Sequence, residues 1–132
     1  MVLKKNAKSK TLLTEVELEL MTLLWRLGEG TVTEVQGALP AARKLAYTSV
    51  STMLRILEQK GIVTSRKAGR GHVYLPRLAK AEYEAASLKH LVQNVFDGTP
   101  SSLVRRLVEQ DDLSAEELGE IRALLEERLK TK

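Results

Sequence analysis

Around position 50 a short run of side chains has the chemistry to read the edge of a base pair. If the segment is helical, each residue advances about 100°, so that Thr52, Arg55 and Gln59 fall within about 40° of Thr48, with Ser51 at one margin of the ridge and Ser49 at the other. An arginine can donate two hydrogen bonds to guanine O6 and N7, a glutamine can pair with adenine, and a threonine can meet a thymine methyl or a phosphate. Thr48, Ser51, Thr52, Arg55 and Gln59 are therefore the candidate base-reading residues. Glu58, at the margin, is the only carboxylate of the segment. A second group of cations, Arg66, Lys67 and Arg70, follows within five positions; flexible cations of this kind neutralise phosphates without reading sequence. Arg43, Lys44, Tyr47 and Ser49 complete the candidate backbone contacts. Two alternatives stay open at this point: the ridge also fits an ordinary solvated helix face, and Tyr47 also fits packing at the start of the helix.

These side chains need a scaffold, and the spacing of apolar residues supplies one. Thr14 with Glu17 and Thr31 with Glu34 are capping boxes, so that helices are predicted from Thr14 to a stop at Gly28 and over Val32–Leu39, ended by Pro40. Leu20, Met21, Leu24, Trp25 and Leu27 recur at helical spacing on the first. A third helix is predicted over Thr48–Lys60 and closed by Gly61, with Val50, Met53, Leu54 and Leu57 packing on the side opposite the polar ridge. The period then changes to that of strands: IVTSRK and HVYLP flank AGRG and read as a two-stranded hairpin. Helix, helix, helix, hairpin is the order of a winged helix-turn-helix, in which the third helix can lie in a major groove and the hairpin can touch the adjacent backbone.

Helical spacing resumes over Ala79–Phe96. Thr99 and Pro100 then supply an N-cap and an N1 proline for a short helix, and Ser114 with Glu117 caps a last one. That last helix is predicted to bury Leu118, Ile121, Leu124 and Leu125. Three striped helices in about fifty residues cannot cover themselves well, which points to a second copy of the chain. Leu88, Leu91, Val92, Val95, Phe96, Leu103, Leu107, Leu118, Ile121 and Leu125 are the candidate interface residues. The expected organisation is a flexible basic arm over 1–10, a winged-helix domain over 11–78 and a helical dimerisation region over 79–132. The fold class is mainly α with a small β hairpin.

Composition narrows the function. The 132 residues are 43% hydrophobic and contain no cysteine, which removes disulfides, thiolate metal sites and cysteine nucleophiles. His72 and His90 are the only histidines and carry no clustered ligand set, so that neither metal nor cofactor is expected. Trp25 and Tyr74 read as core. No nucleophile elbow, phosphate-binding glycine loop or zinc-protease signature is present, and an enzyme is disfavoured. No apolar run approaches the roughly 20 residues that span a bilayer, and the lysine-rich start lacks a signal-peptide pattern; a soluble, cytoplasmic chain is the expectation. The net charge of +4 is unevenly placed: residues 1–80 carry 14 Lys and Arg against 6 Asp and Glu, and residues 81–132 carry 7 against 11. A basic front and an acidic back make nucleic acid the leading partner of the front half. A winged-helix protein–protein interaction module without sequence-specific DNA binding is the alternative, since a fold alone does not guarantee a ligand.

Three blocks, LTEVELELMTLLWRLGEGTVTEV, AYTSVSTMLRILEQKGIVTSRKAGRGHVYLP and VFDGTPSSLVRRLVEQDDLSAEELGEIRALLEE, resemble the bacterial penicillinase-repressor (BlaI/MecI) family in the same order and over nearly the whole chain. The resemblance implies a homodimeric winged-helix repressor on palindromic double-stranded DNA operators, controlling antibiotic-resistance or stress genes. It also implies Tyr47–Lys60 as the recognition helix. In the beta-lactam-sensing members a regulatory protease system leads to cleavage at an Asn–Phe bond in the penultimate helix; the matching position here is Arg106–Leu107. Copper-responsive relatives use a C-terminal cysteine cluster, which this chain lacks.

Overall fold

The computed structural model describes residues 12–131, so the expected basic arm lies outside the described residues. Three helices come first: α1 (Glu15–Leu27), α2 (Val32–Gly37) and α3 (Tyr47–Gln59). Thr14 and Thr31 cap α1 and α2 through complete capping boxes, each hydroxyl accepting from the N3 backbone N–H while the N3 glutamate accepts from the cap residue. Gly28 ends α1 with φ of 88°, a conformation that favours glycine. The second helix stops two residues before the predicted Leu39, because Pro40 disfavours helical backbone at the residue before it and Ala38 already serves as the C-cap.

Strands β1 (Val63–Ala68) and β2 (Gly71–Pro76) pair antiparallel, with Arg66 opposite Val73, Lys67 opposite His72 and Ala68 opposite Gly71. The tip is therefore Gly69–Arg70, and Gly69 takes the positive φ (61°) that so tight a connection requires. A feature not foreseen from the sequence adds to this sheet. Gly30, in the α1–α2 link, forms a bridge with Tyr74: its N–H donates to the Tyr74 carbonyl at 3.0 Å and its carbonyl accepts from Tyr74 N–H at 2.8 Å. A Cβ at Gly30 would stand 3.3 Å from Val35 Cγ2, so a small residue suits this close approach.

The core joins Leu20, Met21 and Leu24 of α1, Val35 of α2, Val50, Leu54 and Leu57 of α3, and Val63 and Tyr74 of the hairpin. Three predicted members, Leu27, Met53 and Trp25, differ. Leu27, one residue before the helix stop, is exposed, and Met53 is only half-buried. Trp25 is half-buried against the core, with Nε1–H donating to the Leu78 carbonyl at 2.9 Å.

Helices α4 (Lys80–Val95), α5 (Pro100–Glu109) and α6 (Ala115–Lys130) follow. Pro100 stands at the start of α5 as predicted, but the Thr99 side chain makes no cap hydrogen bond. Ser114 and Glu117 form the predicted capping box of α6. The chain divides into two compact units after Leu88. The first turns of α4 stay with the first unit because Tyr83 holds them there: its hydroxyl accepts from Leu13 N–H at 3.2 Å and its ring lies 5.9 Å from Trp25. In α4, α5 and α6 no residue is fully buried. The prediction that α6 buries its stripe is thus corrected. Ile121 is half-buried, while Leu118, Leu124 and Leu125 are exposed, because one copy of these helices has too little apolar partner surface.

Candidate nucleic-acid interface

The third helix presents its two sides as the period demands. Val50, Leu54 and Leu57 are buried, and Thr48, Ser49, Thr52, Arg55 and Gln59 on the other side are exposed, with Ser51 half-buried at the margin. The candidate base-reading residues therefore form one continuous, accessible ridge. Glu58 does not intrude on it: its carboxylate accepts a hydrogen bond from the Ser65 hydroxyl at 2.7 Å, which draws it towards the hairpin and fastens β1 to one flank of α3. Tyr47, at the first position of α3, is 51% exposed.

Three polar contacts, two of them long-range, position this helix. At its C-terminal end Lys60 donates to Glu17 of α1 at 2.6 Å. Glu17 is the single buried charged residue among those described. Burial pushes its carboxyl up, but the hydrogen bond from Lys60, the Thr14 backbone N–H and the lysine charge together outweigh burial and hold it below the usual carboxylate range. At the other end, the Gln36 side-chain amide donates to the Leu45 carbonyl at 3.0 Å and shapes the α2–α3 link. Beside it, Arg43 donates through Nε and a terminal nitrogen to both oxygens of Glu19, each at 2.9 Å. That hydrogen-bonded pairing lowers Glu19 and raises Arg43.

The hairpin cations separate by strand alternation. Ser65 and Lys67 share one face of β1 with Tyr74 and His72 of β2, and the Ser65–Glu58 bond shows that this face looks towards α3. Arg66 takes the opposite face. There it donates to both oxygens of Glu29, in the α1–α2 link, at 2.9 and 2.8 Å. The hydrogen-bonded pairing holds Glu29 low and Arg66 high. Among the described residues, Lys44, Lys67 and Arg70 form no salt bridge and are exposed. The seven backbone-contact candidates are thus of two kinds: Arg43 and Arg66 are held by carboxylates, while Lys44, Tyr47, Ser49, Lys67 and Arg70 face solvent. Tyr74 is buried against the ridge's wing side; burial first, then the nearby Glu58 charge, raises its phenol, with Arg55 opposing and Tyr47 adding a little.

In the second unit and the end of the first, Leu88, Leu91, Val95, Leu107, Leu118 and Leu125 of the interface candidates are exposed; Val92, Phe96, Leu103 and Ile121 are half-buried. The second role of Glu17 beyond its capping box, and Glu19, Glu29 and Gly30, have no signal in the sequence. Their partners are 43, 24 and 37 residues away for the three glutamates, and no local spacing signals such pairings.

Three helices followed by a two-stranded wing, with an exposed hydroxyl, guanidinium and amide ridge on the third helix and exposed cations on the wing, define the winged helix-turn-helix class. The particular family follows from comparison with known proteins: the penicillinase repressor family model matches residues 13–127, and the chain belongs to that family. It is 30% identical over 115 residues to the penicillinase repressor of Bacillus licheniformis, an alignment covering 87% of this chain and 90% of that protein. It is 35% identical over 117 residues to the transcriptional regulator BlaI of Mycobacterium tuberculosis, covering 75% of this chain and 85% of that one. Among solved structures, the DNA-binding domain of the repressor BlaI matches at 30% identity and a TM-score of 0.49, covering 54% of this chain and 87% of that one.

Proposed function

We propose that this chain is a sequence-specific, DNA-binding transcriptional repressor of the bacterial cytoplasm that grips a two-fold symmetric operator as a homodimer. The observation that carries the reading is the accessible ridge Thr48, Thr52, Arg55 and Gln59, kept clear of carboxylates by the Glu58–Ser65 bond. Membership of the penicillinase repressor family supports repression as the outcome. In this reading α3 enters the major groove, Arg55 reads a guanine, Gln59 and the hydroxyls read or position their neighbours, and Lys67, Arg70, Lys44 and Tyr47 hold phosphates. The uncovered stripes of α4, α5 and α6 join two copies, which sets two recognition helices on half-sites separated by about one helical turn or a multiple of it.

Release by a regulatory protease fits the same plan. A cut at Arg106–Leu107 would fall inside α5 and separate α6 from the rest of its stripe. Because this pair differs from Asn–Phe, the protease would need a different specificity.

The experiment begins by selecting bound fragments from random-sequence duplex, which gives the half-site and its symmetry. Arg55→Ala is then expected to weaken the selected operator by about 1–3 kcal/mol and to relax the preference at one position of each half-site. An equal loss on operator and on random duplex would refute base reading by this helix and leave the protein–protein module.

A further inference from the structure

Of the two histidines in the sequence, the proposed function uses neither. His72 is exposed near the outer end of β2, and its register partner on β1 is Lys67. Side chains directly opposite on one face of an antiparallel pair stand about 5 Å apart at Cβ, so an imidazole and an ammonium share one spot on the wing. That face is the one turned towards α3, because the next pair inward on it is Ser65 with Tyr74, and Ser65 is bonded to Glu58. Burial falls outward along it. Tyr74 is buried and Ser65 half-buried, whereas Lys67 and His72 are both exposed. The pair therefore projects past the flank of α3, on the opposite face of the hairpin from the Arg66–Glu29 pair.

The charges around His72 are mostly of one sign. Lys67 stands across from it, Arg70 occupies the tip, and the Tyr74 ring lies 6.5 Å away on the same strand. From α3, Glu58, Arg55 and Tyr47 act on Tyr74. Glu58, the one carboxylate of that set, already accepts from Ser65, and Glu29 is engaged by Arg66 on the other face. Among the described residues His72 enters no ion pair. We propose that Lys67 and His72 together clasp one backbone phosphate of the bound duplex, His72 as its imidazolium, so that DNA binding takes up a proton and tightens as pH falls; this rests on the reading that α3 and the wing lie on DNA. A base edge carries no net charge to set between two cations, whereas the strand backbone beside the groove does. Imidazole is the side chain that changes charge between pH 5 and 8, and carboxylates stay ionised over that interval. The contact is thus present at the acidic end and lost as pH rises.

The test follows the affinity of the full chain at constant ionic strength from about pH 8 to about pH 6, on the operator recovered by selection and on random-sequence duplex. The wild-type chain is expected to gain about three- to ten-fold on both. Its slope of log affinity against log salt should steepen by about 0.9 at the acidic end. His72→Gln, which keeps a hydrogen-bonding side chain without the charge, should lose both effects, and His72→Lys should hold the acidic-end affinity across the range. His90 is present in every variant, so the difference between the wild type and His72→Gln isolates His72. A pH response equal in those two chains overturns the proposal and leaves DNA binding standing. A response on the operator that is absent on random duplex overturns phosphate as the occupant. Binding to neither duplex at any pH overturns the proposal together with the reading beneath it.

Discussion

Arg66 and Lys67 are neighbours in the chain with opposite assignments in the structure. Strand alternation sends Lys67 to the face shared with Ser65, which is tied to α3, and sends Arg66 to Glu29. An arginine already held in a bidentate carboxylate pair brings no net charge to a phosphate unless that pair is given up. Measured as the slope of log affinity against log salt, Lys67→Ala and Arg70→Ala are each expected to flatten the dependence by about 0.9, one released counterion. Arg66→Ala is expected to leave the slope nearly unchanged. A slope that falls equally for all three would show that Arg66 leaves Glu29 on DNA. The ridge itself was legible in the sequence, because a 3.6-residue period fixes which residues share a face once the helix is granted. The pairing of each cation was not, because Glu19 lies 24 residues from Arg43 and Glu29 lies 37 from Arg66.

At the scale of elements, the recognition helix is held by its neighbours more than by its own ends. Ala46, its N-cap, offers no side-chain hydrogen bond, whereas Lys60 just beyond the helix reaches the buried Glu17 of α1. Lys60→Met would leave that carboxylate buried with the Thr14 N–H as its remaining partner, and is expected to lower stability by about 1–3 kcal/mol in urea unfolding at neutral pH. Glu17 has a lowered value in the fold, so the unfolded chain binds its proton more readily. The stabilisation is complete above the unfolded value of about 4.3 and disappears as pH falls through the lowered folded value. Unfolding midpoints followed from pH 7 to pH 3 should therefore drop less steeply in Glu17→Gln than in the parent chain. Sequence spacing found Glu17 only as half of a capping box; the second role arises because the same carboxylate has an oxygen left to accept from Lys60.

The two units of the chain differ in how much they bury. The first assembles a core from three helices and the hairpin, and the second leaves Leu107, Leu118, Leu124, Leu125 and Leu129 exposed. Apolar surface of this extent, on helices capped at Ser114 and begun at Pro100, supports the proposed pairing of two copies. The double variant Leu118→Glu with Leu125→Glu is expected to sediment as a monomer while its winged unit keeps its unfolding transition. Its affinity for a two-half-site operator should fall on the order of 100-fold, the loss of linked binding, with single half-site affinity little changed. A dimer that survives both charges would place the interface elsewhere.

The amino-acid sequence by itself determined the kinds of elements and their order, since capping boxes at Thr14, Thr31 and Ser114, the stop at Gly28 and the change from a 3.6 to a 2.0 period all act over a few residues. It also determined the polar ridge of α3, through the same local geometry. Tertiary structure decided which charges are free, that Gly30 extends the wing sheet, that Met53 faces both core and surface, and that the last three helices stay uncovered. Those outcomes depend on which surfaces meet across tens of residues, where register and packing choose the partner, and no local periodicity encodes that choice.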